Sequence, residues 1–120
     1  MDDYRHDTLK KLSDRVLRFA QERDWEQFHA PKNLALSILI EAGELAEHFQ
    51  WQTTEQSEAM DEKKRHEVAM EMADVFIYLI RLAQRSDIDL LQATLDKIEN
   101  NEQRYPADKV RGDSRKYNQY

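Results

Sequence analysis

The sequence of 120 residues has the length of one domain with a modest apolar core. Apolar residues make up 40% and charged residues 35%, which excludes a disordered chain and a membrane-spanning protein. The net charge of -6 disfavours a nucleic-acid binder, and the lack of cysteine excludes disulfides and thiolate metal sites. Because no apolar signal segment is visible at the N-terminus, we expect a cytoplasmic protein. Its charge and its short apolar runs lead us to expect binding to neither nucleic acid nor membrane.

Apolar residues recur at helical spacing along most of the chain, and no segment alternates with the period of a strand. We therefore predict an all-α fold. The first predicted helix covers about Asp3–Glu22, with Leu9, Leu12, Val16 and Phe19 on one stripe. The segment RDWEQFHAPKN follows as a connector.

The second predicted helix begins near Pro31, because a proline at the first helical position sacrifices no hydrogen bond. It runs to about Gln50, and its inward positions are Leu34, Ile38, Leu45 and Phe49.

The segment TTEQSEAMDEKKRH is charged, and we expect it to open the third helix after a loop. The third predicted helix is the most apolar and ends near Gln84. Ser86 or Asp89 caps the fourth, which ends before Pro106.

Two short acidic motifs are spaced for a shared site: EAGE contains Glu41 and Glu44, and EMAD contains Glu71 and Asp74. Residues three apart share a helix face, so all four carboxylates converge if the second and third helices pack together. A solvated surface is the alternative for EAGE. Around EMAD, apolar residues fill most of the circumference, which predicts a largely buried helix with one polar strip of Glu67, Glu71, Asp74, Tyr78 and Arg81.

Electrostatic repulsion suggests what such a cluster binds. Two carboxylates about 5 Å apart repel by roughly 3 kcal/mol at an effective dielectric near 20. Arg81 can neutralise one carboxylate, whereas divalent cations can neutralise all four, and oxygen ligands favour Mg²⁺, Mn²⁺ or Ca²⁺ over zinc. A di-iron bundle built on Glu-x-x-His pairs is a second hypothesis. Its one match, Glu26 to His29, lies in the connector beside Pro31.

Longer segments carry a family resemblance. RDWEQFHAPKNLALSILIEAGELAEHFQW, EMADVFIYLIRLA, KIENNEQRYP and SRKY occur in this order. They resemble the MazG-like all-α nucleoside triphosphate pyrophosphatases, and within them the dCTP pyrophosphatase branch. The likeness extends over about Phe19–Tyr117. The two acidic motifs alone are a weak signal for this family. Their occurrence in order with the tryptophan-containing connector and the Lys-x-x-x-Asn segment makes the resemblance specific.

The resemblance implies a MazG fold that is four-helix-bundle-like and assembles as a homotetramer, a dimer of dimers. We expect one helical domain over residues 1–106 and a basic tail over residues 107–120. The implied reaction hydrolyses a nucleoside triphosphate between the α and β phosphates, with Mg²⁺ or alternatively Mn²⁺, to a monophosphate and pyrophosphate. The residues that match the family's metal ligands are Glu41, Glu44, Glu71 and Asp74.

Phosphate contacts are implied on the fourth helix and in the tail. Lys97 and Asn101 match phosphate-binding positions, and Arg104 continues the same helical face. Tyr105 follows them at the helix end. The tail residues that are candidates to clamp phosphates are Arg111, Ser114, Arg115 and Lys116, with a solvated chain end as the alternative.

An aromatic base pocket is implied by the segments around the connector, which supply Trp25, Phe28, His29 and Trp51. His29 is a candidate for hydrogen bonding to the base edge, and Tyr78 for contact with the sugar. Ordinary core packing is the alternative for these aromatic residues.

We expect two or three Mg²⁺ ions to be held by the acids, water to be activated by an ion or by Glu41 or Glu44, and Lys97 to assist. The proposed role would be removal of dCTP-like nucleotides from the pool. The alternatives are a hydrolase of the same fold acting on dUTP or phosphoribosyl-ATP, and a non-catalytic helical bundle.

Overall fold

The computed structural model describes residues 2–115, and side chains from residue 8 to residue 115. Every regular element in this range is helical, which confirms the predicted all-α class. The α-helices are α1 (Asp2–Glu22), α2 (Pro31–Glu47), α3 (Thr54–Glu58), α4 (Glu62–Arg85), α5 (Leu90–Arg104) and α6 (Ala107–Val110), with a 3-10 helix at Glu26–Phe28. None of the helices in this part of the chain combines the length and apolar character that crossing a membrane requires.

The first two helices lie where the apolar spacing predicts them, except that α2 ends at Glu47 and not near Gln50. Beyond Glu47 the backbone turns more tightly, and the N–H of Phe49 donates to the carbonyl of Ala46 at 3.0 Å. Such i to i+3 bonds commonly satisfy the last carbonyls of a helix.

The charged segment before α4 forms a short helix, α3, that the apolar spacing does not predict. Thr53 Oγ1 accepts a hydrogen bond from the N–H of Gln56 at 3.1 Å, and the N–H of Thr53 donates to Gln56 Oε1 at 3.0 Å. Asp61 then caps α4, because its Oδ1 accepts from the N–H of Lys64 at 2.8 Å. Two separate caps therefore divide the segment into two helix starts.

The boundary between α4 and α5 settles which residue caps the fourth predicted helix. Asp89 Oδ1 accepts from the N–H of Gln92 at 3.0 Å, so Asp89 is the N-cap of α5. Ser86 is the C-cap of α4. Asp87 follows with φ of 53°, in the left-handed region where a helix cannot continue.

The described chain divides into two compact units, Met1–Asp87 and Ile88–Tyr120. In the first unit α4 packs against both α2 and α1. The second unit contains α5 and α6, and α6 falls within the predicted tail. Among residues 8–115 the buried apolar side chains all lie in the first unit, and they are Val16, Ala20, Leu34, Val68, Ile80 and Ala83.

Helix α4 is less buried in the single chain than its sequence predicts. Met70 and Met72 are 54% and 56% exposed, and Phe76, Ile77 and Leu79 are also exposed. Within the first unit, α4 has its main neighbours on the sides facing α1 and α2, so the rest of its apolar circumference stays uncovered. Helix α2 also exposes apolar side chains, which include Leu36, Leu39 and Ile40.

Replacing the cap of α4 should weaken the fold measurably. Asp61→Ala removes the acceptor for the N–H of Lys64, and we expect the free energy of unfolding to fall by about 1 kcal/mol in urea titrations. Asp61→Asn retains an acceptor oxygen and serves as the matched control. Equal stability of Asp61→Ala and the unsubstituted protein would show that this cap contributes nothing.

Candidate functional site

Three glutamates of the first unit form a compact carboxylate group. Glu41 and Glu44 of α2 and Glu71 of α4 each bring one oxygen to within 4.8 Å of the others. The spacing of three residues places Glu41 and Glu44 on one face of α2, and the packing of α2 on α4 brings Glu71 to that face. The structure therefore brings together three of the four carboxylates that the sequence pairs.

The fourth predicted carboxylate, Asp74, is not a member of this group. It lies almost one helical turn beyond Glu71, and its charge contributes to raising the pKa of both Glu41 and Glu71. Asp74 also lines the neighbouring cavity described below. It is therefore placed beside the carboxylate group, on the side of the cavity.

Burial and mutual repulsion both act on the carboxylate group. Burial is the main cause that raises the pKa of Glu41, followed by the hydrogen bond and charge of Glu44. Burial also raises the pKa of Glu71, followed by the charges of Glu44 and Asp74. Each shift indicates that the ionised carboxyl is disfavoured where it stands unless a positive charge joins it.

Two oxygens of the group have no donor to satisfy them. Glu41 Oε2 and Glu71 Oε2 are buried and have no hydrogen-bond partner among residues 8–115. A buried acceptor without a partner is costly, and an ionised one more so. An all-oxygen donor set with unpaired buried oxygens fits a hard divalent cation such as Mg²⁺ or Mn²⁺. The residues present thus suit the metal that the sequence predicts.

A histidine and a lysine form a chain of polar contacts that leads to Glu71. The Nζ of Lys64 lies 3.1 Å from Nδ1 of His48, and Nε2 of His48 lies 4.0 Å from Oε1 of Glu71. Because an ammonium group only donates, His48 accepts at Nδ1 and directs Nε2–H towards the carboxylate. Outer contacts of this kind orient metal-ligating side chains. The sequence signal for this arrangement is weak, consisting only of His48 one turn after Glu44.

A cavity of about 400 Å³ lies between α1, the connector and α4. Four predicted site residues line it: Trp25, His29, Asp74 and Tyr78. The other lining residues are Leu12, Arg15, Val16, Phe19, Ala20, Ile77 and Arg81. The stripe of α1 that predicts a core therefore also forms one wall of this cavity.

Aromatic rings of the cavity meet edge to face. The ring centroids of Phe19 and Trp25 are 5.6 Å apart with planes at 77°, and those of Trp25 and His29 are 6.3 Å apart at 71°. This geometry is favoured by the quadrupoles of the rings. Trp25 is 42% exposed, so ring surface remains available to a planar ligand.

Arg81 is the most deeply placed charge of the described residues, with only 2% of its surface exposed. Its Nε donates to Nδ1 of His29 at 3.0 Å, and its Nη1 donates to Gln84 Oε1 at 2.8 Å. Its nearest carboxylate is that of Glu26, at 3.9 Å. The suggestion that Arg81 neutralises a carboxylate of the acidic group is therefore wrong, because its donors are directed to the connector and Gln84.

The remaining predicted site residues do not line this cavity, lie in the second unit, or lie outside the described residues. Phe28 and Trp51 are 61% and 88% exposed, and neither lines the cavity. Arg115 pairs with Asp113, with Nη2 to Oδ2 at 2.6 Å. Lys116 lies outside the described residues. The residues of the second unit, whose phosphate-binding roles stay predictions, are Lys97, Asn101, Arg104 and Tyr105.

Stability of the metal-free protein should depend on pH through the acidic group. The raised pKa of Glu41 means that its proton stabilises the fold fully below the ordinary value of 4.5, and this contribution is lost as the pH rises through the folded value. We therefore expect metal-free Glu41→Gln to melt higher than the unsubstituted protein at neutral pH, with the difference vanishing near pH 4.5.

The control is Glu67→Gln on the same polar strip of α4, which should show no such difference. Saturating Mg²⁺ should raise the melting temperature of the unsubstituted protein more than that of Glu41→Gln, because the cation binds the folded carboxylates. Melting curves unchanged by Mg²⁺, Mn²⁺ and Ca²⁺ would contradict a cation site.

Comparison with known proteins places the chain in a family. The sequence model of the MazG-like family matches residues 36–119. Proteins named dCTP pyrophosphatase 1 from Mus musculus and Homo sapiens are each 46% identical over 112 residues, covering 92% of this chain. The chain spans 66% of the length of these mammalian relatives.

A solved structure supports the same assignment at the level of the fold. The crystal structure of a pyrophosphatase from Archaeoglobus fulgidus has a TM-score of 0.78 and 40% identity, covering 82% of this chain and 93% of that one. Both acidic motifs of the carboxylate group lie within the matched segment 36–119. The chain belongs to the MazG-like family.

Proposed function

We propose that this chain is a Mg²⁺-dependent nucleoside triphosphate pyrophosphohydrolase that acts on dCTP-like nucleotides of the cytoplasmic pool. The observation that carries the proposal is the pair of buried, unpartnered oxygens on Glu41 and Glu71 beside an aromatic cavity. Charge-neutralising cations and a planar base are the two ligands that suit these features. The names of the relatives, dCTP pyrophosphatase 1 and pyrophosphatase, agree with it.

The proposed metal ligands are Glu41, Glu44, Glu71 and Asp74. Their oxygen donors favour Mg²⁺, with Mn²⁺ as the alternative. A bound divalent cation supplies charge neutralisation for the phosphate oxygens. The chain itself supplies the arrangement that receives it, because α2 and α4 hold three of the carboxylates together before any ligand binds.

The proposed base site is the cavity. The ring of Trp25 offers a surface for stacking, which contributes affinity with modest base selectivity. His29 is the candidate donor to the base edge. Tyr78 lies one turn beyond Asp74 on α4, where we propose that it contacts the sugar. Asp74 lines the same cavity and influences the carboxylate group, so base binding and phosphate chemistry are adjacent.

The proposed reaction is direct attack of water on the α-phosphorus. Glu41 or Glu44 accepts a proton from the water at a carboxylate oxygen. The water oxygen forms a bond to the α-phosphorus, the bond from this phosphorus to the bridging oxygen breaks, and pyrophosphate leaves with the electron pair. Lys97, Asn101 and Arg104 remain proposed phosphate contacts, as the family resemblance implies, and their spacing places them on one face of α5.

The exposed apolar side chains of α2 and α4 support association of this chain with other copies of itself. Met70 and Met72 of α4 and Leu39 of α2 are more than half exposed in the single chain. Exposed apolar patches of this kind mark protein interfaces. We propose that the protein forms a homotetramer, arranged as the dimer of dimers that the family resemblance implies.

A nucleotide panel tests the proposed activity. We expect release of pyrophosphate from dCTP with Mg²⁺, a slower release from dUTP and phosphoribosyl-ATP, and none when EDTA removes the metal. Preference for either competing substrate would assign the chain to a different branch of the same fold. A lack of pyrophosphate from every nucleotide would indicate a non-catalytic bundle.

Asp74→Asn should separate activity from folding. It removes one charge beside the carboxylate group while retaining the volume of the side chain, and we expect kcat/KM to fall by at least about 100-fold. Circular dichroism should remain unchanged. The matched control is Glu67→Gln, two turns earlier on α4, which should retain activity. Retained activity of Asp74→Asn would remove Asp74 from the proposed ligands.

A further inference from the structure

The contact between Arg81 and His29 fixes where one proton lies. Arg81 Nε is 3.0 Å from His29 Nδ1, and the two residues are 52 positions apart in the sequence. A guanidinium group has N–H donors and no acceptor, so Nδ1 of His29 must be the acceptor. A neutral imidazole that accepts at Nδ1 carries its proton on Nε2.

The second ring nitrogen of His29 is left for a ligand. Among residues 8–115, no hydrogen bond is made to His29 Nε2, and the buried polar atoms without partners are Glu41 Oε2, Gln52 Oε1, Glu71 Oε2 and Arg81 Nη2. His29 Nε2 is not one of these, so it is accessible. Since His29 lines the cavity, its accessible N–H is the candidate donor to a ligand there.

We propose that Arg81 is a positioning residue that holds His29 as a neutral Nε2–H donor, so that the cavity selects a base presenting a hydrogen-bond acceptor. The proposal rests on the proposed function, because it assumes that the cavity holds the base. A 2-oxo group or an unprotonated ring nitrogen, both present on cytosine, would accept this bond. A base that offers only a donor there would leave His29 unpaired, which costs affinity.

The surroundings of Arg81 explain why its orientation is fixed. Its Nη1 donates to Gln84 Oε1 at 2.8 Å, and Gln84 Nε2 donates to both the carbonyl and Oγ of Ser13 at 2.8 Å. Gln84 therefore links the Arg81 guanidinium to Ser13 of α1, while Nε of Arg81 donates to His29 of the connector. A planar donor fixed at two points cannot rotate away from His29.

Charges around His29 favour its neutral form. Burial lowers the pKa of His29 most, followed by the charges of Arg81 and Arg85, while Glu26 opposes them. The other charged or titratable groups at the cavity are Arg15 of α1 and Asp74 and Tyr78 of α4. The geometric and electrostatic contributions therefore agree, because protonation of Nδ1 would direct an N–H at Arg81.

Nitrogen NMR of ¹⁵N-histidine protein tests the proton position directly. The chain has four histidines, and a His29→Gln spectrum assigns the signal of His29. We expect a pyridine-type Nδ1 and a protonated Nε2 in the unsubstituted protein. Arg81→Met removes the donor, so His29 should become a tautomer mixture and titrate at higher pH. A proton on Nδ1 in the unsubstituted protein, or an unchanged Arg81→Met spectrum, would overturn the proposal.

Arg85→Met is the matched control. Arg85 lies one turn later on α4 and donates to the backbone carbonyl of His29 at 3.1 Å, not to its ring. Its removal should leave the proton on Nε2, and a tautomer change equal to that of Arg81→Met would contradict a specific role for Arg81. If Arg81→Met does not fold, Arg81→Lys replaces it, because lysine keeps a donor and a charge. Arg81→Lys should retain the Nε2–H form of His29, and loss of that form would overturn the proposal.

Kinetics separate a positioning role from a merely structural one. Arg81→Met should raise KM for dCTP about tenfold with little change in kcat, as expected when binding common to substrate and transition state is lost. In a His29→Gln background, Arg81→Met should have no further effect on KM. Additive effects would show that Arg81 does not act through His29.

Binding of dCMP distinguishes failure of this proposal from failure of the proposed activity. dCMP should shift the Nε2–H signal of His29 in the unsubstituted protein, whether or not hydrolysis occurs. An unchanged signal at saturating dCMP would overturn the role of His29 as donor to the base. Absence of pyrophosphate release together with this shift would reject only the activity.

Discussion

Glu41 and Glu71 each have a buried carboxylate oxygen that accepts no hydrogen bond from any described residue. This arrangement is unfavourable for the isolated chain, since burial and neighbouring charge both raise the pKa of the two carboxyls. It follows from the packing of α2 on α4, which brings Glu71 to the face of α2 that carries Glu41 and Glu44. The carboxylate group is therefore locally unfavourable because of the packing of these helices, and the proposed cation would relieve the repulsion.

Helix α4 links the acidic group to the cavity along one face. Glu71, Asp74, Tyr78 and Arg81 follow one another at steps of three or four residues, the period of neighbouring side chains on a helix. The first two are acidic and the last is a buried cation, so the electrostatic character of the face reverses over about three turns. If cations occupied the acidic end as proposed, a ligand with an anionic end and a neutral, hydrogen-bonding end would match this gradient.

The parts of this molecule that follow from local rules were predictable from the sequence. Helical period, the acceptor side chain of Asp89 and the spacing of the two acidic motifs depend on residues close together in the chain. The contact of Arg81 with His29 depends on how the connector folds back on α4, which no periodicity encodes. The exposure of Met70 and Met72 was mispredicted for another reason. The spacing of apolar residues predicts which face of a helix is apolar. It does not predict whether the same chain or another copy covers that face.

Gln84 has a consequence for the mobility of the cavity. By donating to both the carbonyl and the hydroxyl of Ser13, Gln84 joins α4 to α1 through two hydrogen bonds. It also accepts from Arg81, whose Nε bonds to His29 and so links the connector to the same network. These walls are ordered during folding, so a ligand meets surfaces whose conformational entropy has already been lost. Preorganisation of this kind reduces the entropic penalty of association. Slow amide hydrogen exchange around Ser13 and Gln84 is the signature that such a rigid wall would leave.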